Sequence, residues 1–275
     1  MNLRKAIASI LTSFLAFVLS MTPAVTAAEK TPIASKSVVR LASLEWEPYI
    51  GKRMPDQGYA AVLVRAAFAD QGVKVEIEFY PWARALHLAR TGELDGLMPE
   101  YFDASRETEF QYSAAFPGGP LVLYKRRSDA VAFSIDPVKQ QDVALLALKA
   151  KRFGVVRGYL NTPVFDAATY LVKEAANDDA TNLRKLVYGR IDLAVIDRRV
   201  AEHLIRTEYP DYALRIVPMA PALAENMLYI AFSRKARHMR EALATFNQGL
   251  AAMREDGRVD ALYKQYILTP PPAHR

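Results

Sequence analysis

Apolar residues recur along this chain at two spacings, and the spacings alternate. Residues 38–44, Val-Val-Arg-Leu-Ala-Ser-Leu, make a short apolar run suited to a buried strand. A polar and aromatic loop, 45–51, follows. Then Tyr59, Val62, Leu63 and Ala66 fall at helical spacing, and Gly72 is expected to close that helix. Residues 73–80 alternate as a strand. Trp82, Ala85, Leu86 and Ala89 form a second helical stripe ended by Gly92, and 94–98 is a short apolar strand. The order β-α-β-α-β predicts a parallel sheet with crossover helices.

The pattern then returns. Residues 153–156 read as a strand followed by Gly158, and 169–175 as another. Leu183, Leu186 and Val187 mark a helix ended by Gly189; a strand over 191–196 and a helix over 198–209 come next. Gly92-Glu93-Leu94-Asp95 and Gly189-Arg190-Ile191-Asp192 share one plan: helix end, glycine, one residue, aliphatic, aspartate, strand. Apolar runs at 120–126 and 227–232 suit strands that link two lobes. Met239, Leu243, Phe246, Leu250 and Met253, then Val259, Leu262, Tyr263 and Tyr266, give two closing helices. Residues 269–275, with three consecutive prolines, read as a tail. The predicted organisation is lobe 1 over 36–122 plus 226–268 and lobe 2 over 123–225, a clamp joined by two crossings.

The N-terminus carries a different signal. Arg4 and Lys5 precede a charge-free, mostly apolar run, and Ala-Val-Thr-Ala-Ala ends it at Ala28. Small residues stand at −1 and −3 for cleavage after Ala27 or Ala28, so residues 1–28 read as a secretory signal peptide and are set aside. The run is too short for a spanning helix. Of 36 basic residues two lie in that leader, leaving 36 − 2 = 34 against 30 acidic, or +4. That surplus is too small and too scattered for nucleic-acid binding. Cysteine is absent, which removes disulfides, thiolate sites and a lipid anchor. His87, His203, His238 and His274 have no ligand spacing, so neither metal nor cofactor is expected. An exported, unanchored protein points to the periplasm, and nothing in the sequence calls for more than a monomer.

Ligands of open α/β sheets bind beyond the carboxyl ends of strands. The rule selects Glu45, Trp46 and Tyr49 after the first strand, Glu100 and Tyr101 after the third, Arg157, Gly158 and Tyr159 after 153–156, and Asp197 after 191–196. Arg106 follows closely. It is either a fork for a carboxylate or a solvated residue on a helical turn. Asp197 is a partner for an ammonium, a helix N-cap, or both. Trp82 and Tyr49 are stacking walls or core. Gly158 either brings backbone N–H groups to an anion or makes a turn. No nucleophile elbow, phosphate loop, dinucleotide fingerprint or zinc-protease motif occurs.

In order, the chain reads leader, βαβ lobe, Gly92-Glu93-Leu94-Asp95-Gly96, Ser105-Arg106, Phe110-Gln111-Tyr112-Ser113, Gly154-Val155-Val156-Arg157-Gly158 and Gly189-Arg190-Ile191-Asp192 through Asp197. This resembles the bacterial extracellular solute-binding proteins of family 3, over nearly all of 36–268. The resemblance implies an α/β, two-lobed periplasmic-binding-protein fold of type II, the Venus-flytrap form. It implies capture of a small polar solute, an amino acid or related carboxylate, for an ABC permease or a membrane sensor. It assigns Arg106 to the solute carboxylate, Asp197 to its ammonium and the backbone at Gly158 and Tyr159 to the carboxylate. Tyr49, Trp82, Glu100 and Tyr101 complete the expected lining. Pro99-Glu100-Tyr101-Phe102 stands where amino-acid binders carry small hydroxyl residues, Tyr159 where threonine is common, and the stretch from Asp95 to Arg106 is one residue shorter. A dehydratase-like enzyme on the same fold, with Glu100 as its acid, is the alternative.

Overall fold

The computed structural model describes residues 38–269; the signal peptide expected over 1–28, residues 29–37 and residues 270–275 lie outside that range. The chain runs β1 (Val38–Ser43), α1 (Tyr59–Ala69), β2 (Lys74–Phe79), α2 (Trp82–Thr91) and β3 (Gly96–Glu100). A 3-10 turn (Ala104–Arg106), β4 (Phe110–Tyr112) and the long β5 (Phe116–Arg126) follow. The second half holds α3 (Gln141–Ala147), β6 (Arg152–Val156), α4 (Pro163–Ala167), β7 (Val172–Ala176), α5 (Asp179–Val187), β8 (Leu193–Asp197), α6 (Arg198–Thr207) and β9 (Ile216–Pro218). β10 (Ala224–Ser233), α7 (Met239–Glu255) and α8 (Arg258–Tyr263) close the described chain.

Strand order is β2-β1-β3-β10-β5-β8-β6-β7, with β4 on β10 and β9 on β5. β1 pairs in parallel with β2 and β3, and β6 in parallel with β7 and β8. These are the two βαβ lobes that the alternation predicts. The two crossing strands are antiparallel to their neighbours. β10 meets β5 through Ala224–Leu228 and β3 or β4 through Tyr229–Ser233. β5 meets β10 through its first half and β8 and β9 through its second. The two crossing strands, paired to each other, thus join the sheet of β1–β4 to that of β6–β9.

The repeated glycine–aspartate plan has a structural basis. Gly92 and Gly189 take φ of 83° and 70°, a left-handed geometry that costs glycine little and ends each helix. Three residues on, Asp95 N–H donates to Arg40 O at 2.8 Å and Asp95 Oδ2 accepts from Arg40 N at 2.8 Å. Asp192 makes the same two bonds with Arg152, each at 2.9 Å. In each lobe the aspartate locks the returning chain to the first residues of the lobe's leading strand. The lock shifts the predicted strands. Leu94 and Asp95 belong to the turn, so β3 spans 96–100 and Glu100 is its last residue, not one beyond it. β8 likewise ends on Asp197.

Smaller corrections come from turns. Residues 169–171 form a turn after α4, and pairing with β6 starts at Val172. α1 stops at Ala69, so Gly72 sits in the turn beyond it at φ 73°. The first lobe's core is closed by α1 against α7, where Phe68 and Phe246 lie 5.7 Å apart between ring centres and Phe116 meets Phe246 at 6.3 Å. All three rings are fully buried, each contributing about 1.5–3 kcal/mol. No helix among the described residues is long and apolar enough to cross a membrane.

Candidate functional site

The carboxyl ends of β1, β3, β6 and β8 face one another, and loop residues close the gap. From β1 the chain turns through Trp46 and Tyr49, held by Trp46 N to Ile50 O at 2.8 Å and Tyr49 N to Trp46 O at 3.0 Å. Trp82 is the first residue of α2, where it presents its indole across the gap. Pro99, Glu100 and Tyr101 end β3, and the 3-10 turn brings Arg106 back toward them. Asp103 caps that turn by accepting from Ser105 N at 2.7 Å, which fixes where Arg106 departs. From the second lobe come Gly158 and Tyr159 after β6, Asp179 at the start of α5 and Asp197 at the end of β8.

All eight residues expected to line the site converge. Arg106 donates from Nη1 to Glu100 Oε2 at 2.7 Å and from Nη2 to Gly158 O at 2.7 Å. Trp82 Nε1 donates to the same Gly158 carbonyl at 3.0 Å. The carbonyl of Gly158, where the backbone N–H was expected to serve an anion, therefore faces the first lobe. Its φ of 80° turns the peptide that way. Tyr159 packs edge-on against Trp82 at 5.7 Å and Trp46 at 6.4 Å. Tyr49 Oη donates to Asp197 at 3.2 Å and Tyr101 Oη to Asp197 Oδ2 at 3.1 Å. Asp197 also accepts from Arg199 N at 2.8 Å and Val200 N at 3.3 Å. The cap and site readings of Asp197 hold together.

Two site residues were missed. Trp46 stood among the residues after β1 but was left out of the expected lining. Its Nε1 donates to Asp179 Oδ2 at 3.2 Å across the lobes, and its ring meets Tyr101 at 5.8 Å. Asp179 follows β7, whose end was misplaced; the strand-end rule finds it once β7 ends at Ala176. At the rim, Glu47 Oε2 and His203 Nε2 meet at 2.7 Å. The hydrogen bond to His203 holds the Glu47 carboxyl below its usual range.

Three carboxylates are buried here: Glu100, Asp179 and Asp197 are 4%, 5% and 3% exposed. Burial dominates all three, pushing Glu100 up to about 7 against the pull of Arg106, Asp179 up to about 7, and Asp197 up to about 6. The space left is a cavity of about 20 Å³, room for roughly one water. Its lining includes Trp46, Trp82, Glu100, Tyr101 and Tyr159. Grooves of about 560 and 410 Å³ adjoin it on either side of Tyr159. Among the described residues no cluster of histidine and acidic side chains is placed to hold a metal ion.

This arrangement, two sheets whose strand ends close on a small cleft, has many solved counterparts. The substrate-binding protein of an amino acid ABC transporter superposes with a TM-score of 0.67 at 17% identity, covering 85% of this chain and 100% of that one. A histidine kinase sensor domain with similarity to periplasmic binding proteins gives 0.71 at 19%, covering 85% and 97%. The ancestral amino acid-binding protein AncCDT-1, a precursor of cyclohexadienyl dehydratase, gives 0.63 at 20%, covering 84% and 95%. At these identities the likeness is one of fold, the two-lobed periplasmic-binding-protein fold. Comparison with curated protein sequences finds none that matches. The sequence itself matches the model of the bacterial extracellular solute-binding proteins, family 3, over residues 44–269. With that match spanning most of the chain, and with the strand ends, glycine–aspartate locks and cleft in place, the chain belongs to the bacterial extracellular solute-binding proteins of family 3.

Proposed function

We propose that this chain captures a small polar solute between its lobes in the periplasm and presents it, closed, to an ABC importer. The lobes in this reading are 36–122 plus 226–268 and 123–225, and the leader over 1–28 is removed on export. The carrying observation is that five residues bond across the cleft: Arg106 and Trp82 to Gly158, Trp46 to Asp179, Tyr49 and Tyr101 to Asp197. A cleft whose two walls bond to each other closes as a unit, and a solute that bonds both walls favours the closed state. Tyr49, Trp82, Glu100, Tyr101, Arg106, Gly158, Tyr159 and Asp197 line the solute's seat. The reading is one of binding and not catalysis, because the acid a dehydratase would use, Glu100, is engaged by Arg106 Nη1 and by Tyr101 N at 3.1 Å.

A thermal-shift screen over polar metabolites tests capture, since a bound solute raises apparent stability by mass action. One compound should raise Tm saturably, and deleting the gene should lower cellular uptake of that compound. A screen in which nothing raises Tm, or turnover of prephenate or arogenate by the purified protein, would count against the reading.

A further inference from the structure

We propose that the solute is a small organic ammonium, and that Glu100 is the residue that keeps free carboxylates out. The proposal rests on the capture reading above and deepens it. Arg106 is the guanidinium that reaches Glu100 and Gly158, and its fork is spent. One arm holds Glu100 at 2.7 Å and the other the Gly158 carbonyl at 2.7 Å, with Arg106 only 12% exposed and Glu100 3%. A solute carboxylate could grip both arms of that fork only by displacing Glu100. The displaced carboxylate would stay buried, beside another negative charge and without its cation. A buried charge stripped of its partner is strongly disfavoured. Glu100 thus fills, from inside the protein, the place an anionic solute would take.

What remains suits a cation. The rings of Trp46, Trp82, Tyr101 and Tyr159 stand nearly perpendicular in successive pairs, at interplanar angles of 73°, 81° and 88°. They form a cage around the cavity, and no lysine or arginine is part of its lining. An ammonium within about 6 Å of such ring centres is attracted by their negative faces. Behind the cage, Asp179 and Asp197 take their hydrogen bonds from neutral donors: an indole, two phenols and two backbone amides. Neither carboxyl has a cationic partner in those bonds, and an ammonium supplies one. The grooves beside Tyr159 take the rest of the molecule as the lobes part.

The test uses matched pairs of an amino acid and the amine left by its decarboxylation: lysine with cadaverine, arginine with agmatine, histidine with histamine, phenylalanine with phenethylamine. The parent chain should bind the amine of at least one pair, read by Tm and tryptophan emission, at least about tenfold more tightly than its amino acid. Glu100→Ser frees the fork and should bind that amino acid at least about tenfold more tightly than the parent does. Adding Arg106→Ala to Glu100→Ser should abolish the gain. Glu100→Gln keeps the side chain's shape if the serine variant folds poorly, and should gain in the same direction. An amino acid that binds the parent as tightly as its amine overturns the proposal, as does an unchanged carboxylate affinity in both Glu100 variants. A parent that answers only to uncharged or anionic metabolites leaves solute capture standing and overturns the ammonium. A parent that answers to nothing overturns both.

Discussion

Asp179 sits 5% exposed with an indole N–H as its side-chain hydrogen-bond donor, and Glu100 and Asp197 are buried with it. All three carboxyls are raised, so the folded chain keeps protons that the unfolded chain has released. The stability these three contribute should therefore be fully present below about pH 4, be lost as pH rises through the window from about 4 to about 7, and be gone above it. Asp192, held down to about 2 chiefly by its hydrogen bond to Arg152, works in the opposite sense, but below that window. Urea unfolding at pH 5 and pH 8 should show the higher midpoint at pH 5. Asp179→Asn keeps an acceptor for Trp46 and should remove about a third of the difference. Equal midpoints in the parent would show that the three groups ionise normally. Arg106→Ala belongs with this set. It strands Glu100, so it should cost about 3 kcal/mol at pH 8 and clearly less at pH 5, where Glu100 takes up a proton instead. A loss independent of pH would place the cost in packing and not in the ion pair.

Among the elements, the crossing of α1 and α7 depends on one missing side chain. A Cβ on Gly249 would run into the backbone carbonyl of Ala67, which cannot move without shifting α1. Gly249→Ala should cost about 1–3 kcal/mol, or a fall in Tm of roughly 2–10 °C by calorimetry. Gly189 is a glycine for a different reason: nothing lies near its missing Cβ, and only its φ of 70° is special. Gly189→Asn, a residue that tolerates that conformation, should cost less than Gly249→Ala. The reverse order would mean that α1 and α7 pack more loosely than the structure has it. The alternation of apolar spacings shows most strands of both lobes and the helices α1, α2, α5, α6 and α7, because each buries one regular face. It misplaced β3, β8 and β7 by one to three residues, because an aspartate side chain or a turn bond, and not hydrophobicity, decides where pairing starts. β4, β9, α3 and α4 were not foreseen; they have three, three, seven and five residues, too few to show a period. The strand-end rule points to six of the eight residues that converge, Arg106 and Trp82 coming from other signals, yet no spacing could show that Arg106 spends its fork on Glu100, since that is a matter of side-chain direction.

For the whole molecule, closure is joined at the centre by the cleft bonds and at the rim by Glu47 and His203. Both tryptophans of the chain, Trp46 and Trp82, donate across the cleft, so their emission reports its state. A saturating solute should shift that emission and, if it holds the lobes closed, lower the radius of gyration seen by small-angle scattering relative to the solute-free chain. An unchanged emission at saturation would place binding elsewhere.

The strand order has a further consequence, for how the protein is made. β10, the last strand to leave the ribosome, is neither last nor outermost in space; it lies between β3 and β5. Until residues 224–233 emerge, β1, β2 and β3 have an open edge, while β5, β6, β7 and β8 already have one another. Synthesis thus completes the later half of the chain before the earlier half. A nascent chain halted at Leu223 would expose the edge of β3, an unpaired template for wrong partners. It would also lack α7, which covers the apolar face of α1. The early half is in this way kept incomplete until the chain is almost finished, the state in which an exported polypeptide has to cross a membrane.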